Sequence, residues 1–287
     1  MMPAIQDNKT LQEWRQTARF WTKHSATIRT MFAPLTEALI EDAGISEGQR
    51  VLDIAGGAGE PSLTIAERVG PKGSVTCTDA VAEMVAAAES EAQRRGLTNV
   101  KFRQCAADSL PFDSNSFDAV VSRLGVMFFH NPLTAQREML RVVKLGGTLA
   151  FAVWHRDELN PFTHIITEVM SRYVDSAPAA ADAPGAFRFA EPGKLAAILK
   201  QAGASDVRER VLQFRIAAPI SSAEYCKLRS ETSDTLREKV AKLSADQAVR
   251  VDQEVREAVR EFFPNDKMNF PAQMIIVTAR KPGSSRN

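Results

Sequence analysis

Short apolar runs alternate with helix-forming stretches between Gln49 and Val153, and this alternation constrains the fold more than any other feature of the chain. The predicted strands cover residues 49–55, 74–79, 100–104, 117–122 and 147–153, and the predicted helices between them cover 60–69, 81–95 and 132–143. Strands that alternate with helices at this spacing form βαβ units, in which helices cover both faces of a mostly parallel sheet. The sequence therefore predicts a doubly wound α/β fold.

The flanking segments predict additions to this sheet. Residues 9–44 form two helices, in which Trp14 and Trp21 share one face. After Trp154 we expect a loop at Asp175–Gly185, a helix at 191–201, a strand at 207–216, a charged and solvated helical stretch at 221–263 and a last strand at 271–279. The expectation is a Rossmann-like, seven-stranded sheet divided into an N-terminal helical lid (1–48), a core (49–220), a helical insertion or lid (221–265), and a last strand with a frayed polar tail (266–287).

Charge and cysteine content bear on the cellular compartment and on nucleic-acid and metal binding. The 36 Lys and Arg residues nearly balance the 35 Asp and Glu residues, so no general attraction to nucleic acid is expected. No signal-peptide core or apolar run of membrane-spanning length occurs. Cys77, Cys105 and Cys226 show no metal-ligand or disulfide spacing, so we predict a cytoplasmic protein without a metal. The sequence leaves its oligomeric state open between a monomer and a homodimer.

The segment VLDIAGGAGEPSLTIA, residues 51–66, predicts a ligand site. A buried strand ends in Asp53 and runs through a glycine-rich turn into a helix, and ligands of open parallel sheets bind at such carboxyl ends. A nicotinamide fingerprint would need a third glycine where Ser62 stands, and a P-loop would need Gly-Lys-Ser/Thr. A carboxylate at Asp53 would repel a pyrophosphate and suits a cationic ligand.

The same segment resembles motif I, D-x-G-x-G-x-G, of the class I S-adenosylmethionine-dependent methyltransferases. Asp53, Ala55, Gly57 and Gly59 occupy its fixed positions, and Ala55 replaces the first glycine. Later motifs follow in order: Asp79 at the end of the second strand, 107–112 after the third, 116–123 in the fourth and 138–147 before the fifth. Over residues 49–155 the chain is most similar to the ubiquinone/menaquinone-biosynthesis subgroup, the type 11 methyltransferase domain.

The resemblance implies S-adenosylmethionine as cofactor and S-adenosylhomocysteine as product. In this family the counterpart of Asp79 bonds both ribose hydroxyls, Met84 matches the residue that packs against adenine, and Asp108 matches the acceptor of the adenine amino hydrogens. The implied cofactor residues are Asp53, Ala55, Gly56, Gly57, Gly59, Asp79, Ala80, Met84, Ala107, Asp108, Ser109 and Arg123.

Other interpretations of these side chains stay open at this stage. Asp53 and Asp108 fit ordinary turns, and Asp79 fits an N-cap of the following helix. Arg123 fits either a structural salt bridge or a contact with the methionine carboxylate. His130, after the fourth strand, fits either a general base or a residue at a helix start.

The predicted reaction is in-line methyl transfer to a small, partly apolar metabolite, quinone-like or a natural product, with catalysis by positioning and exclusion of water. No Asn/Asp-Pro-Pro-Tyr follows the fourth strand, which argues against amino-directed nucleic-acid methylation. Two alternatives remain: a nicotinamide-dependent oxidoreductase, and a protein that binds S-adenosylmethionine or S-adenosylhomocysteine without catalysis. A pocket too closed for a second molecule would favour the latter.

Overall fold

The computed structural model of the chain describes residues 9–175 and 182–283. Most of the loop predicted at Asp175–Gly185, and residues 284–287 of the polar tail, lie outside the described residues. Within them, no helix is long and apolar enough to cross a membrane.

A seven-stranded sheet organises the described residues, in the order β3-β2-β1-β4-β5-β7-β6. The strands are β1 (Arg50–Ile54), β2 (Ser74–Asp79), β3 (Val100–Gln104), β4 (Phe117–Arg123), β5 (Val143–Trp154), β6 (Ser205–Ala218) and β7 (Met268–Arg280). Neighbours from β3 to β5 pair in parallel, whereas β7 pairs antiparallel with both β5 and β6. The prediction of a mostly parallel, seven-stranded Rossmann-like sheet is confirmed.

Ten α-helices accompany the sheet in the described residues. They are α1 (Lys9–Lys23), α2 (Ser25–Asp42), α3 (Ser62–Val69), α4 (Ala82–Arg94), α5 (Pro132–Val142), α6 (Pro161–Ser171), α7 (Lys194–Ala202), α8 (Ser222–Thr232), α9 (Asp234–Val240) and α10 (Ala245–Ala258). Only α6 has no counterpart among the predicted helices. The helix begins with a proline in its first turn, which is typical of helix starts. Its buried residues recur at helical spacing, so the sequence did contain a signal for this helix: Phe162, Ile166, Val169 and Met170.

The central strands carry the core because both of their faces are covered. Val120 of β4 lies opposite Leu149 of β5, and both are fully buried, as is Phe151 further along β5. A strand that is buried on both faces has a near-continuous apolar sequence, and this is the pattern that made the strands recognisable.

The strand order places a crevice at the carboxyl ends of β1 and β4. From β1 the chain first builds outward through β2 and β3, and then crosses back to β4 on the other side of β1. Helices that leave neighbouring strands on opposite sides open a crevice at such a switch point. α1 lies against α4, α8 and α9. The division of the chain into lids and core stays a prediction.

Candidate active site

Asp53 is fully buried at the end of β1 and only half satisfied. Its Oδ2 accepts a hydrogen bond from Ser62 Oγ at 2.6 Å, whereas Oδ1 has no partner among the described residues. Burial raises the pKa of Asp53 to about 7, against the opposing effects of the Ser62 hydrogen bond and the Arg123 charge. A buried acceptor without a donor is costly, and a cationic or hydrogen-bonding ligand would relieve that cost.

In the turn after Asp53, the position of Gly56 has no room for a side chain. A Cβ on Gly56 would lie 2.7 Å from Cys77 Sγ and 2.8 Å from Asp53 Oδ2. Gly57 and Gly59 have φ of 55° and 114°, which favour glycine. Ala55 also has a positive φ, 57°, and a Cβ on Gly125 would lie 2.6 Å from the Ala55 methyl group. The turn therefore presents bare backbone at the crevice.

Asp79, at the end of β2, joins this turn to the start of α4. Its Oδ2 accepts from the Gly57 amide at 3.1 Å and its Oδ1 from the Val81 amide at 2.9 Å. Burial raises the pKa of Asp79 to about 6, although these backbone hydrogen bonds oppose the increase. The N-cap interpretation of Asp79 is wrong, because Val81 occupies the N-cap position of α4 and no side-chain cap forms there. Each oxygen keeps a second lone pair for a ligand.

The segment after β3 and the first turn of α4 form the next part of the wall. Met84 is buried and clusters with Ala18 and Val81, with Trp14 packed against them. The Asp108 carboxylate makes no hydrogen bond or ion pair with any residue that the structure describes, and it lines the same cavity as Asp79. Asp108 is therefore available to accept a hydrogen bond from a ligand.

Arg123 enters the cavity from the end of β4. Its guanidinium donates to Thr36 Oγ1 at 2.7 Å and to the Glu60 carbonyl at 3.3 Å, and it lies 5.7 Å from the Phe32 ring centroid. Nε is buried without a partner, and burial lowers the pKa of Arg123 despite the charges of Glu60 and Asp53. Within residues 9–175 and 182–283 it forms no salt bridge, because Glu60 pairs with Arg95 at 2.7 Å. The structural salt bridge is therefore not supported.

His130 lies at the rim rather than in the wall. It follows a short 3₁₀ turn, Val126–Phe128, and is exposed, although it still lines the cavity. Asn131 and not His130 occupies the position before α5, and no side-chain cap forms there. A catalytic role for His130 stays a prediction.

All these groups meet at one cavity of about 1220 Å³. The predicted cofactor residues that line it are Ala55, Gly56, Gly57, Asp79, Ala80, Met84, Ala107, Asp108, Ser109 and Arg123, with Asp53 and Gly59 behind the turn. The other half of the cavity is largely apolar, with walls formed by Phe32, Trp154, Phe162, Ile166, Met170 and Phe187. The space exceeds what one cofactor molecule needs, since ligand sites commonly measure about 300–1,000 Å³.

Part of the apolar half of the cavity was not predicted from the sequence. The stretch at 221–263 is predicted to be either a solvated insertion or a lid, and one face of α8 is enclosed, because Tyr225 and Leu228 are buried and Arg229 lines the cavity. The sequence signal for this enclosed helix face was the three-residue spacing of Tyr225 and Leu228. Thr36, the partner of Arg123, had no sequence signal, since it lies 87 residues away along the chain.

S-adenosylmethionine fits this donor and acceptor set. The Asp79 and Asp108 carboxylates line the cavity and are acceptors, and the unpartnered Arg123 Nε is a donor suited to a carboxylate. The side-chain-free turn at Gly56 allows close backbone approach. At the third glycine position of a nicotinamide fingerprint, Ser62 instead donates a hydrogen bond to the buried Asp53, so the glycine that this fingerprint needs is absent.

Comparisons with known proteins agree with this geometry. Residues 34–174 match the model of the ubiE/COQ5 methyltransferase family. The chain is 37% identical over 124 residues to Rv1405c of Mycobacterium tuberculosis, covering 43% of this chain and 44% of that protein. It is 39% identical over 109 residues to a ubiquinone/menaquinone biosynthesis C-methyltransferase, UbiE, of Stenotrophomonas maltophilia, covering 38% and 43%. These matches span less than half the length of either relative.

A solved structure extends the similarity to the whole fold. The Haemonchus contortus phosphoethanolamine N-methyltransferase 2, in complex with S-adenosyl-L-methionine, aligns with a TM-score of 0.58 at 17% identity, covering 96% of this chain and 60% of that one. An alignment at this identity shows the fold. The match of residues 34–174 shows that this part of the chain is similar to the ubiE/COQ5 methyltransferase family, the class that the sequence motifs predicted.

Proposed function

We propose that the protein transfers a methyl group from S-adenosylmethionine to a small, partly apolar organic molecule. The observation that carries this proposal is the Asp79 carboxylate in the cavity wall, hydrogen-bonded to a glycine-rich turn that Asp53 supports from behind at the end of the adjacent strand. That turn opens into a cavity whose second half is apolar and large enough for another molecule.

The residues of the chain would act mainly by positioning. When bound, S-adenosylmethionine supplies an electrophilic methyl group on a sulfonium. Asp79 would accept hydrogen bonds from the ribose hydroxyls, Asp108 from the adenine amino group, and Arg123 would bind the methionine carboxylate through its free Nε. The aromatic walls would hold the acceptor in line and exclude water, which lowers the barrier without covalent chemistry by the protein.

A base is needed only for an acceptor that arrives protonated. Among the histidines of the described residues, His130 alone lines the cavity, so it is the proposed base. Unchanged turnover by His130→Ala would remove it from the mechanism.

The acceptor is proposed to be quinone-like or an aromatic natural product. The relative named UbiE is a ubiquinone/menaquinone biosynthesis C-methyltransferase. Trp154 and Phe162, which both line the cavity, lie parallel with centroids 6.4 Å apart and 9° between the ring planes, so this half of the cavity is aromatic in character. The cavity is not too closed for a second molecule, and this favours catalysis over a protein that only binds the cofactor.

Methyl transfer is tested with methyl-labelled S-adenosylmethionine and a panel of phenols, hydroxynaphthoates and reduced naphthoquinones such as menadiol. We expect acceptor-dependent formation of S-adenosylhomocysteine and of labelled product. Tight cofactor binding without turnover on any such acceptor would favour the binding protein, and turnover of a nicotinamide cofactor would favour the oxidoreductase.

The affinity for S-adenosylmethionine is expected to increase with pH. The pKa values of Asp53 and Asp79 are raised to about 7 and about 6 without ligand, and a cationic, hydroxyl-bearing ligand favours the ionised forms. Binding must therefore release protons, and the affinity should rise about tenfold from pH 6 to pH 7.5. Calorimetry across this range, in buffers of different ionisation enthalpy, measures both effects. An affinity that does not change with pH would contradict the assignment of Asp53 and Asp79 to the cofactor site. In Asp53→Asn, the pH dependence of the affinity should become smaller.

An ion-pair cluster joins α1 to α8 beside the cavity. We expect it to hold these two helices closed over the cavity. Glu231 of α8 lies 2.7 Å from Lys23 Nζ and 2.5 Å from His24 Nε2, where α1 meets α2. Burial alone would raise the pKa of Glu231, but the hydrogen bonds from Lys23 and His24 outweigh it and lower the pKa. The cluster therefore contributes stability above the unfolded pKa of a glutamate and loses it as the pH falls through the lowered value.

Glu231→Gln should weaken this closure by about 1 kcal/mol, since the pair is only partly buried. Amide hydrogen exchange in α1 should then accelerate about fivefold. The control is Glu257→Gln, which removes an exposed partner of Arg260 remote from α1. Equal exchange in both variants would contradict a closing role for Glu231.

A further inference from the structure

Arg229 of α8 stands in the apolar half of the cavity without a partner. Its Nε is buried and makes no hydrogen bond, and the guanidinium carbon lies 4.9 Å from the centroid of the Phe162 ring. Among residues 9–175 and 182–283, no carboxylate forms an ion pair with it. Stacking on an aromatic face is a modest attraction, about 0.5–2 kcal/mol, and leaves the N–H donors unused.

Packing rather than charge fixes the position of Arg229. Tyr225, one turn earlier on α8, is fully buried and donates a hydrogen bond from its hydroxyl to the Phe162 carbonyl at 2.7 Å. Leu228 is buried beside it. These contacts attach α8 to α6, so the arginine is held at the cavity by its neighbours and not by a counter-ion.

The nearest negative charge is engaged elsewhere. Asp157 accepts a hydrogen bond from Thr163 Oγ1 at 2.7 Å and lies 3.0 Å from His164 Nδ1. Burial lowers the pKa of Arg229, and the charge of Asp157 only partly opposes this. A partly buried cation whose Nε has no acceptor is costly, whereas the other arginine of the cavity, Arg123, has two hydrogen-bond partners.

A second unused donor lines the same cavity. Trp21 Nε1 of α1 is buried and makes no hydrogen bond. Trp21 packs against Met84 and Val81 and so lies toward the cofactor half, whereas Trp154 and Phe162 line the half that contains Arg229. An occupant that satisfied these features would combine a planar, apolar body with an anionic acceptor group.

We propose that Arg229 binds the carboxylate of the methyl acceptor, so that the substrates are apolar, planar small molecules with one negative charge. This assignment rests on the proposed function and specifies its substrate class. The guanidinium fork matches a carboxylate with two parallel hydrogen bonds. A single cation within apolar walls suits a monoanion better than a phosphate dianion, whose second charge would stay buried and uncompensated.

The test compares 2-naphthoate with 2-naphthamide, which has nearly the same shape but no charge, by calorimetry on protein saturated with S-adenosylhomocysteine. Wild type should bind the acid at least tenfold more tightly than the amide. Arg229→Met should abolish this difference. The control is Lys227→Met, which removes one cation from an exposed position of the same helix and should leave the difference intact.

A stability measurement separates this role from a structural one. Replacing an unpaired buried cation with an apolar side chain of similar length should raise the Tm of the ligand-free protein by about 2–4 °C. A lower Tm for Arg229→Met would show that the arginine supports the fold, which would overturn the proposal. Absent or equal binding of acid and amide, or a preference for naphthyl phosphate, would also overturn it.

The proposed function is tested separately in the same titrations. Binding of S-adenosylhomocysteine needs only the half of the cavity around Asp79, so Arg229→Met should bind it within about twofold of wild type. A wild type that does not bind S-adenosylhomocysteine would contradict the proposed function, whereas the comparison of acid with amide tests the role of Arg229.

Discussion

Replacing Asp79 with alanine is expected to weaken binding of S-adenosylmethionine by about 100-fold or more. The side chain does two things: it would accept hydrogen bonds from the ribose, and it holds the Gly57 amide at 3.1 Å and the Val81 amide at 2.9 Å. Two charge-assisted hydrogen bonds to the ligand at about 1.5 kcal/mol each give about 3 kcal/mol, or roughly two orders of magnitude in Kd. Calorimetry with S-adenosylmethionine measures the loss directly.

Two further variants make this result interpretable. Asp79→Asn keeps an oxygen for Val81 but presents an amide to the Gly57 N–H or the ribose, so it should also bind poorly. Glu83→Ala removes an exposed carboxylate from the first turn of α4 and should bind normally. An affinity of Asp79→Ala within a few-fold of wild type would show that the ligand is held elsewhere.

Replacing Gly56 with alanine is expected to lower both stability and cofactor affinity. Its φ is not positive, so the obstacle is space: the new Cβ would lie 2.7 Å from Cys77 Sγ and 2.8 Å from Asp53 Oδ2. Overpacking of this kind costs about 2 kcal/mol, which should lower Tm by about 5 °C. Relief of the clash displaces the turn or the Asp53 carboxylate behind it, so affinity for S-adenosylmethionine should fall about tenfold.

Gly185 offers a matched control for this substitution. It also lines the cavity, but a Cβ there would meet no atom closer than the Ala183 carbonyl oxygen at 4.0 Å. Gly185→Ala should therefore leave Tm within about 1 °C of wild type. Equal behaviour of the two variants would mean that the turn tolerates a side chain at Gly56.

The core of the fold was predictable because its signals are local. β2 and β3 have the bounds that their alternating or β-branched sequences indicate, 74–79 and 100–104. The start of β5 was less predictable: Gly146 and Gly147 favour a turn, yet the strand begins at Val143, immediately after α5. Its pairing with β4 shifts register between Phe117 and Ala119, and nothing in the local sequence marks this irregularity.

The cofactor half and the apolar half of the cavity also differ in how far the local sequence predicts them. The acids and glycines of the cofactor half follow their strands directly, so spacing alone brings Asp53 and Asp79 together. The other half is assembled by tertiary packing: Arg229 lies at the cavity because Tyr225 is anchored on Phe162, 63 residues earlier. A charged helix in isolation predicts a solvated face, and only the packing of α8 on α6 shows which of its residues are enclosed.

The central claim is tested most directly by calorimetric titration of the wild-type protein with S-adenosylmethionine, S-adenosylhomocysteine and NADH. The account predicts one site per chain with micromolar or tighter affinity for the first two ligands and no measurable binding of NADH. Folded protein that binds NADH, or that binds neither S-adenosyl compound, would contradict the assignment of this cavity.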